Sequence, residues 1–453
     1  MGGTDGQTHL GRWWTPEYPS QRVFGVLSTV PDAMTLTLAG RLPVAPGSRL
    51  TIRGRTGNRQ PVTLLDCICS SHTPGWSALY GSWDAQEYRV GVVLLGGRSR
   101  AGLETRYRCS SADFSGLPEF TSYRPFGVLR ESTEGMRETV GIEQVRETRV
   151  QHEDVDITVS VDTAASWHPT LATLKTRTRL DFRSRRPRTI DDWHRDYHWP
   201  IATLISLALG RACIVSRLAV LVSASPRTYE RDGGRVAVPA PWVTVLRGEP
   251  LAGPPGSRAG SVLFTLADDV ALEDMLPRWL DAHRVLRLPL DLYFSTVFAP
   301  FMYLESRFLN LVQAAEGYHR VRYPDRKAED PLIHAERLTS IYGSTDNPEH
   351  RAWLEKKLGN HSNEPTLRRR LLDLAQLARR QGLKMNAKEA DGFALSVKNA
   401  RDELSHGGIG ERRTPHGDYV KMERQLTSVL QACWLCELGV SIDASTKMLN
   451  RWV

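Results

Sequence analysis

Long apolar runs are missing from this 453-residue chain. The longest, Pro200 to Leu209, covers ten residues and carries Thr203 and Ser206. A helix that crosses a bilayer needs about 20 apolar residues in succession, so no membrane partner is expected. The first eleven residues are polar and glycine-rich and lack the apolar core of a secretory signal, which points to a cytoplasmic protein. Cysteine is scarce: six (67, 69, 109, 213, 433 and 436) are scattered over a chain too large to need disulfide staples. Cys433-Trp-Leu-Cys436 is a lone CxxC in an apolar helical stretch, and Cys67-Ile-Cys69 alternates along a strand. Both read as core, since a closed zinc site needs four ligands. His194 and His198 lie i, i+4 but lack the carboxylate of an HExxH pair. No metal and no cofactor are expected. Lysine is scarce too, nine against 50 arginines, within a net charge of +8; that balance suits a polyanionic partner without requiring one.

What is present divides in two. Residues 1–20 read as a loose lead-in, with Trp13, Trp14, Pro16 and Tyr18 available to dock it. Alternating segments follow: 23–30, 33–39, 49–53, 60–70, 88–95, 107–117, 145–150, 155–161, 171–182 and 217–222, with 261–266 as the last strand. Some ten short strands imply an antiparallel sandwich or open barrel. Arg183 to Arg188 reads as a solvated basic loop, with a phosphate-contacting patch as the alternative, and 190–209 as a helix kinked at Pro200. From Asp268 the periodicity is helical, with helices expected near 271–286, 288–298, 301–319, 333–341, 350–358, 366–380, 387–406, 418–438 and 442–452. The fold class is therefore α+β: a β-rich domain over 1–267, then an all-α domain over 268–453.

The stretch that concentrates chemistry is Val397 to Gly408. Apolar Ala390, Phe393, Ala394, Val397, Ala400 and Leu404 recur at helical spacing, and Gly407-Gly408 supplies a left-handed stop. Arg401 and His406 stand on the last turns. Residues five apart point about 140° away from each other on a straight helix, but a long arginine at a loosening end can reach the same phosphate as an imidazole. Arginine clamps phosphate bidentately, and histidine moves protons near neutral pH. The spacing alone is unspecific: 50 arginines and 13 histidines supply one or two such pairs by chance, and Arg278/His283 is another.

Two further stretches resemble known sequences. Tyr303-Leu-Glu-Ser-Arg-Phe-Leu-Asn-Leu-Val-Gln-Ala-Ala-Glu316-Gly-Tyr-His319 is similar to the first core helix of HEPN domains. Arg401-Asp-Glu-Leu-Ser-His406-Gly is similar to their Arg-x4-6-His helix end. The N-terminal half, through Trp14-Thr-Pro-Glu-Tyr, Gly25-Val-Leu-Ser, Leu36-Thr-Leu-Ala-Gly-Arg-Leu, Ile52-Arg-Gly-Arg-Thr and Val62-Thr-Leu-Leu-Asp-Cys, resembles the ApeA N-terminal domain. The chain thus resembles ApeA-like HEPN proteins over most of its length. The resemblance implies a helical HEPN bundle, metal-independent endoribonuclease activity on RNA (tRNA favoured) and action in anti-phage defence by abortive infection. It further implies a homodimer through the HEPN domain and a phage-derived trigger sensed by the N-terminal domain. Arg401 and His406 would be catalytic, supported by Glu316, Asp402, Asn399 and Ser405. Arg368, Arg369, Arg379, Arg380, Arg412 and Arg413 would form an RNA-facing rim. The residue after the arginine is Asp402 where the family often has Asn, which leaves open an alternative: an inactive HEPN module that binds RNA or protein, with a ligand-sensing β domain.

Overall fold

The alternation in the first strands is resolved by closure. The computed structural model describes residues 7–451 apart from 31–32, 45–47, 78–80, 97–103, 124–125, 132–136, 143–146, 169, 222–226, 232–233, 239–241, 248–261, 269, 360–361 and 407–413. Strands β1 (Thr8–Trp14), β2 (Val23–Ser28), β3 (Thr35–Ala39), β4 (Leu50–Thr56), β5 (Pro61–Ser77) and β6 (Gly81–Leu95) pair in the order β6-β3-β2-β1-β4-β5 and back to β6. The result is a closed six-stranded antiparallel barrel rather than a sandwich or open barrel. Each of these six strands is paired on both sides, so none of them is an open edge. Residues 8–14 are therefore a barrel strand and not a loose lead-in; the aromatic content that suggested docking is partly core. Trp13 is wholly buried with Leu27, Leu36, Leu38, Ile52, Leu64 and Tyr88, and its indole donates to Gly25 O at 3.1 Å. A barrel this small holds that indole only because β4 has a glycine beside it: a Cβ on Gly54 would stand 2.2 Å from Trp13 Cε3.

From β6 the sheet continues outside the barrel. The further elements are β7 (Tyr107–Phe114), α1 (Leu117–Thr121), the hairpin β8 (Phe126–Glu131) and β9 (Arg137–Ile142), β10 (Thr148–His152), β11 (Val155–His168) and β12 (Leu171–Arg188). After them come α2 (Ile190–Trp193), a π-helical turn (His194–His198), α3 (Trp199–Leu209), β13 (Val215–Leu221), the hairpin β14 (Arg227–Arg231) and β15 (Gly234–Val238), and β16 (Trp242–Arg247). The order beyond the barrel is β6-β16-β13-β7-β12-β11-β10. The expected helix over 190–209 is split by the π turn, which lets Pro200 sit at the start of α3, where its missing N–H costs little. Residues 200–209 are all buried, so the longest apolar run is a core helix.

Two expectations fail here. Arg183–Arg188 is the end of β12 rather than a loop. Arg188 is fixed by Asp154 at 2.7 Å and Asp196 at 3.3 Å, over the rings of Trp193 and Tyr197. Burial raises the Asp154 carboxyl, but hydrogen bonds from Ser184, Arg188 and the Arg186 amide outweigh it and bring it to about 2. Residues 262–265 form no strand; the Leu263 and Phe264 amides instead donate to Ala208 O at 2.8 and 3.1 Å, satisfying a carbonyl at the end of α3 that lacks a helical partner.

The helices are α4 (Leu272–Val285), α5 (Arg287–Phe298), α6 (Leu304–Arg322), α7 (Pro331–Gly343), α8 (Pro348–Lys357), α9 (Leu367–Arg380), α10 (Ala387–His406), α11 (His416–Glu437) and α12 (Ile442–Leu449). The chain divides into compact units Met1–Leu280 and Asp281–Val453. In the second, α6, α9, α10 and α11 pack about one core: Phe308, Leu311 and Val312 of α6, Leu374 and Ala375 of α9, Phe393 and Val397 of α10, and Leu426, Leu430 and Trp434 of α11. Phe301, expected on the α6 stripe, precedes that helix and is exposed. Cys433 is buried but Cys436 is exposed, so the CxxC expected in the core is core at its first cysteine only. Among the described residues no group of His, Cys, Asp and Glu is arranged to hold a metal, and no helix is long and apolar enough to cross a membrane.

Candidate active site

Helix α10 starts on a reciprocal cap: Asn386 N donates to Glu389 at 2.7 Å and Glu389 N to Asn386 at 2.9 Å. Ala390, Phe393, Ala394, Val397 and Ala400 are buried in a stripe against α9, α11 and α6, while Leu404 is half-buried. That stripe fixes the helix rotation. It leaves Arg401 at the margin of the seam, with 38% of its side chain exposed. The Arg401 guanidinium donates to Asp402 Oδ1 at 3.2 Å, and Lys398, one turn back, reaches Asp402 Oδ2 at 2.9 Å. The Lys398 hydrogen bond, opposed by slight burial and aided by Arg401, holds the Asp402 carboxyl below its usual range. Asp402 therefore remains an anion at neutral pH. It occupies a guanidinium that phosphate would also claim, and Lys398 gives it a second partner when the arginine is withdrawn. Asn399 and Ser405 are exposed.

The backbone of His406 closes α10; its side chain lies outside the described part, as do Gly407, Gly408, Arg412 and Arg413 entirely. Glu403 brings the two ends of that segment together. Its carboxylate accepts from Thr414 Oγ1 at 2.7 Å and from Thr414 N at 3.4 Å, tying the approach of α11 to the last turn of α10. Nothing in the sequence pattern signals this role, although Glu403 lies between the two proposed catalytic residues.

Glu316 stands on α6. It pairs with Arg320 at 3.2 Å, and among the described residues no hydrogen bond or ion pair joins it to Arg401. Its neighbours form a buried network between α6 and α9. Arg370, with 5% of its side chain exposed, donates to Glu364 at 2.8 Å and to Pro365 O at 3.0 Å, and meets His319 Nδ1 at 3.3 Å. Arginine only donates, so Nδ1 accepts. The imidazole proton then sits on Nε2, aimed at Asp373 Oδ2 3.2 Å away. Burial, with Arg370 alongside, keeps His319 below its usual pKa despite Asp373. The imidazole is a neutral relay between a cation and an anion.

The family model for the ApeA N-terminal domain 1 matches residues 8–279, and that for Apea-like HEPN matches residues 309–444. The chain belongs to the ApeA-type HEPN family. No curated protein and no solved structure matches it significantly. The HEPN region, α6 to the start of α12, carries Arg401, His406 and the Arg370–His319 network. A HEPN domain implies an RNA-related, usually nuclease, function, often in defence.

Within that HEPN region the expected basic rim is uneven. Arg368 pairs with Asp391 at 2.7 Å and Arg369 with Asp373 at 3.2 Å, so two of its cations are already neutralised. Asp391 also precedes Arg401 by ten residues, about 15 Å along the helix. Arg379 and Arg380 are exposed and make no ion pair among the described residues. Arg370, the third arginine of the same run, is buried; it falls on one stripe with Leu371, Leu374, Ala375 and Ala378, and that periodicity is the local sign of its burial. The competing pair separates on α4: Arg278 is exposed, whereas His283 is buried and lowered by that burial to about 4. A histidine so hard to protonate is a poor proton donor near neutral pH.

Proposed function

We propose that this chain is a metal-independent endoribonuclease whose chemistry is carried by Arg401 and His406. The observation that carries the reading is the placing of Arg-x4-His at the end of a core-packed helix inside the matched HEPN region. His406 takes the proton from a ribose 2'-hydroxyl. The 2'-oxygen attacks the adjacent phosphorus, the bond to the departing 5'-oxygen breaks, and that oxygen is protonated. Arg401, leaving Asp402 to Lys398, holds the phosphate and stabilises the charge that grows on its oxygens. The products are a 2',3'-cyclic phosphate and a free 5'-hydroxyl.

One histidine serves poorly as both base and acid, so a homodimer through the HEPN domain, two Arg/His sets facing one cleft, supplies the second. tRNA is the favoured substrate. Its cleavage would stop growth in an abortive anti-phage response, with the N-terminal unit sensing a phage-derived trigger. The test compares an RNA and a DNA of one sequence in EDTA. Cleavage of RNA alone, undiminished by the chelator, is expected; loss of activity in EDTA or equal cleavage of DNA contradicts the mechanism. The second reading, a HEPN module that binds without cutting, draws on the Arg401–Asp402 pair, and predicts RNA retention with no cleavage.

A further inference from the structure

The outer face of the barrel carries an unusual arrangement. Pairing sets Arg53 beside Trp14 and Arg55 beside Arg12 across β4 and β1, and Arg12 beside Phe24 across β1 and β2. Arg22, just before β2, lies over the Trp14 ring at 4.9 Å. Four arginines and two aromatic rings thus share one patch, continued by exposed Leu10. Strands β1 to β4 contain no Asp or Glu. Among the described residues, Arg12, Arg22, Arg53 and Arg55 make no ion pair, and Arg53 Nε is buried with no hydrogen-bond partner.

Elsewhere in this unit several strand arginines do have carboxylate partners. Arg177 is paired with Asp113, Arg179 with Asp181, Arg188 with Asp154, and Arg247 with Asp191. Like charges directly opposite on adjacent strands destabilise a sheet, and Arg12 stands opposite Arg55. Phe24 is 54% exposed. Cations without ion-pair partners, interleaved with rings on the outside of the barrel, match a ligand with spaced negative charges and exposed π-faces.

We propose that this barrel face binds single-stranded nucleic acid. The backbone phosphates would lie on Arg12, Arg53 and Arg55. Bases would stack on Phe24 and on the Trp14–Arg22 pair, since aromatic rings and guanidinium planes both serve as stacking surfaces. A duplex hides its base faces, and an anionic lipid surface offers none. The inference stands apart from the nuclease reading, because it uses neither Arg401 nor His406.

The test uses the full chain carrying Arg401→Ala, so that binding at the proposed active site is weakened. The probe is a fluorescein-labelled 2'-O-methyl U20, titrated at several salt concentrations. Phe24→Ala is expected to weaken binding about tenfold, in line with the loss of one stacked base. Arg12→Gln/Arg55→Gln is expected to flatten the dependence of log affinity on log salt by about 1.4, near 0.7 for each phosphate no longer neutralised. Arg12→Lys/Arg55→Lys keeps the charge, and should keep the slope. All are outward-facing replacements, and an unchanged thermal melt confirms the fold. Affinity and slope unchanged in Phe24→Ala and the Gln pair would overturn the inference. So would binding to phosphatidylserine vesicles, or to duplex of the same length, that is as strong and as sensitive to the Gln pair.

Discussion

Replacing Asp402 by Asn asks most of the site's electrostatics. Arg401 and Asp402 are both about one-third exposed, and exposed ion pairs contribute between 0 and about 1 kcal/mol; the fold should tolerate the change within that range. The effect on RNA should be larger and of known sign. A phosphate held by Arg401 would lie roughly 6 Å from the Asp402 carboxylate, and two unit charges at that distance in water repel by about 0.7 kcal/mol. Releasing the guanidinium from its present acceptor adds a few tenths more. Together these come to about 1 kcal/mol, or roughly fivefold tighter RNA binding. The gain should shrink with added salt as these half-exposed charges are screened. The assay is anisotropy with a non-cleavable 2'-O-methyl oligonucleotide, wild type against Asp402→Asn, at about 50 and about 300 mM salt, a range over which the Debye length shortens appreciably. Unchanged or weaker binding at low salt would show that Asp402 does not compete for Arg401.

Arg370→Ala leaves Glu364 and His319 Nδ1 without their buried partner and should destabilise the second unit by about 3 kcal/mol; urea unfolding followed by tryptophan fluorescence measures it, and a loss under about 1 kcal/mol would contradict the network. Gly54→Ala drives a methyl into Trp13 and should cost about 1–3 kcal/mol through overpacking, read as a lower melting temperature; an unaltered melt would refute the packing argument. Asp154 has a folded-state pKa near 2, below the unfolded value of about 3.9, so its contribution of about 2 kcal/mol is present above about pH 4 and lost as pH falls through about 2. The stability gap between wild type and Asp154→Asn should close over that window. His283, depressed to about 4, has the same sign for another reason: the unfolded chain takes up its proton first, near pH 6.5, so stability falls from about pH 6.5 towards 4, and His283→Leu should flatten that slope.

The helical unit was legible because most of its helices carry their own apolar period, and several carry a side-chain cap at the start. Ala387 to His406 runs between the same residues in sequence and structure, since Asn386 and Glu389 cap one end and the apolar stripe persists to the other. The β-rich unit was harder. Closure of the barrel is a long-range event: nothing local to 8–14 says that it will pair with both 23–28 and 50–56, and its aromatic cluster suggested docking. Residues 262–265 alternate like a strand but satisfy a helix end instead. At the candidate site, the motif singles out Arg401 and Asp402. The pairing of Glu403 with Thr414 and the burial of Arg370 depend on tertiary partners, and only the helical stripe around Arg370 gave a local sign.

The most direct measurement is cleavage of total tRNA in EDTA by purified wild type, Arg401→Ala and His406→Ala, with product ends typed. Cleavage by wild type alone, leaving 2',3'-cyclic phosphates, is the expected result. Equal cleavage by all three, or products with other ends, would remove the chemistry from the end of α10.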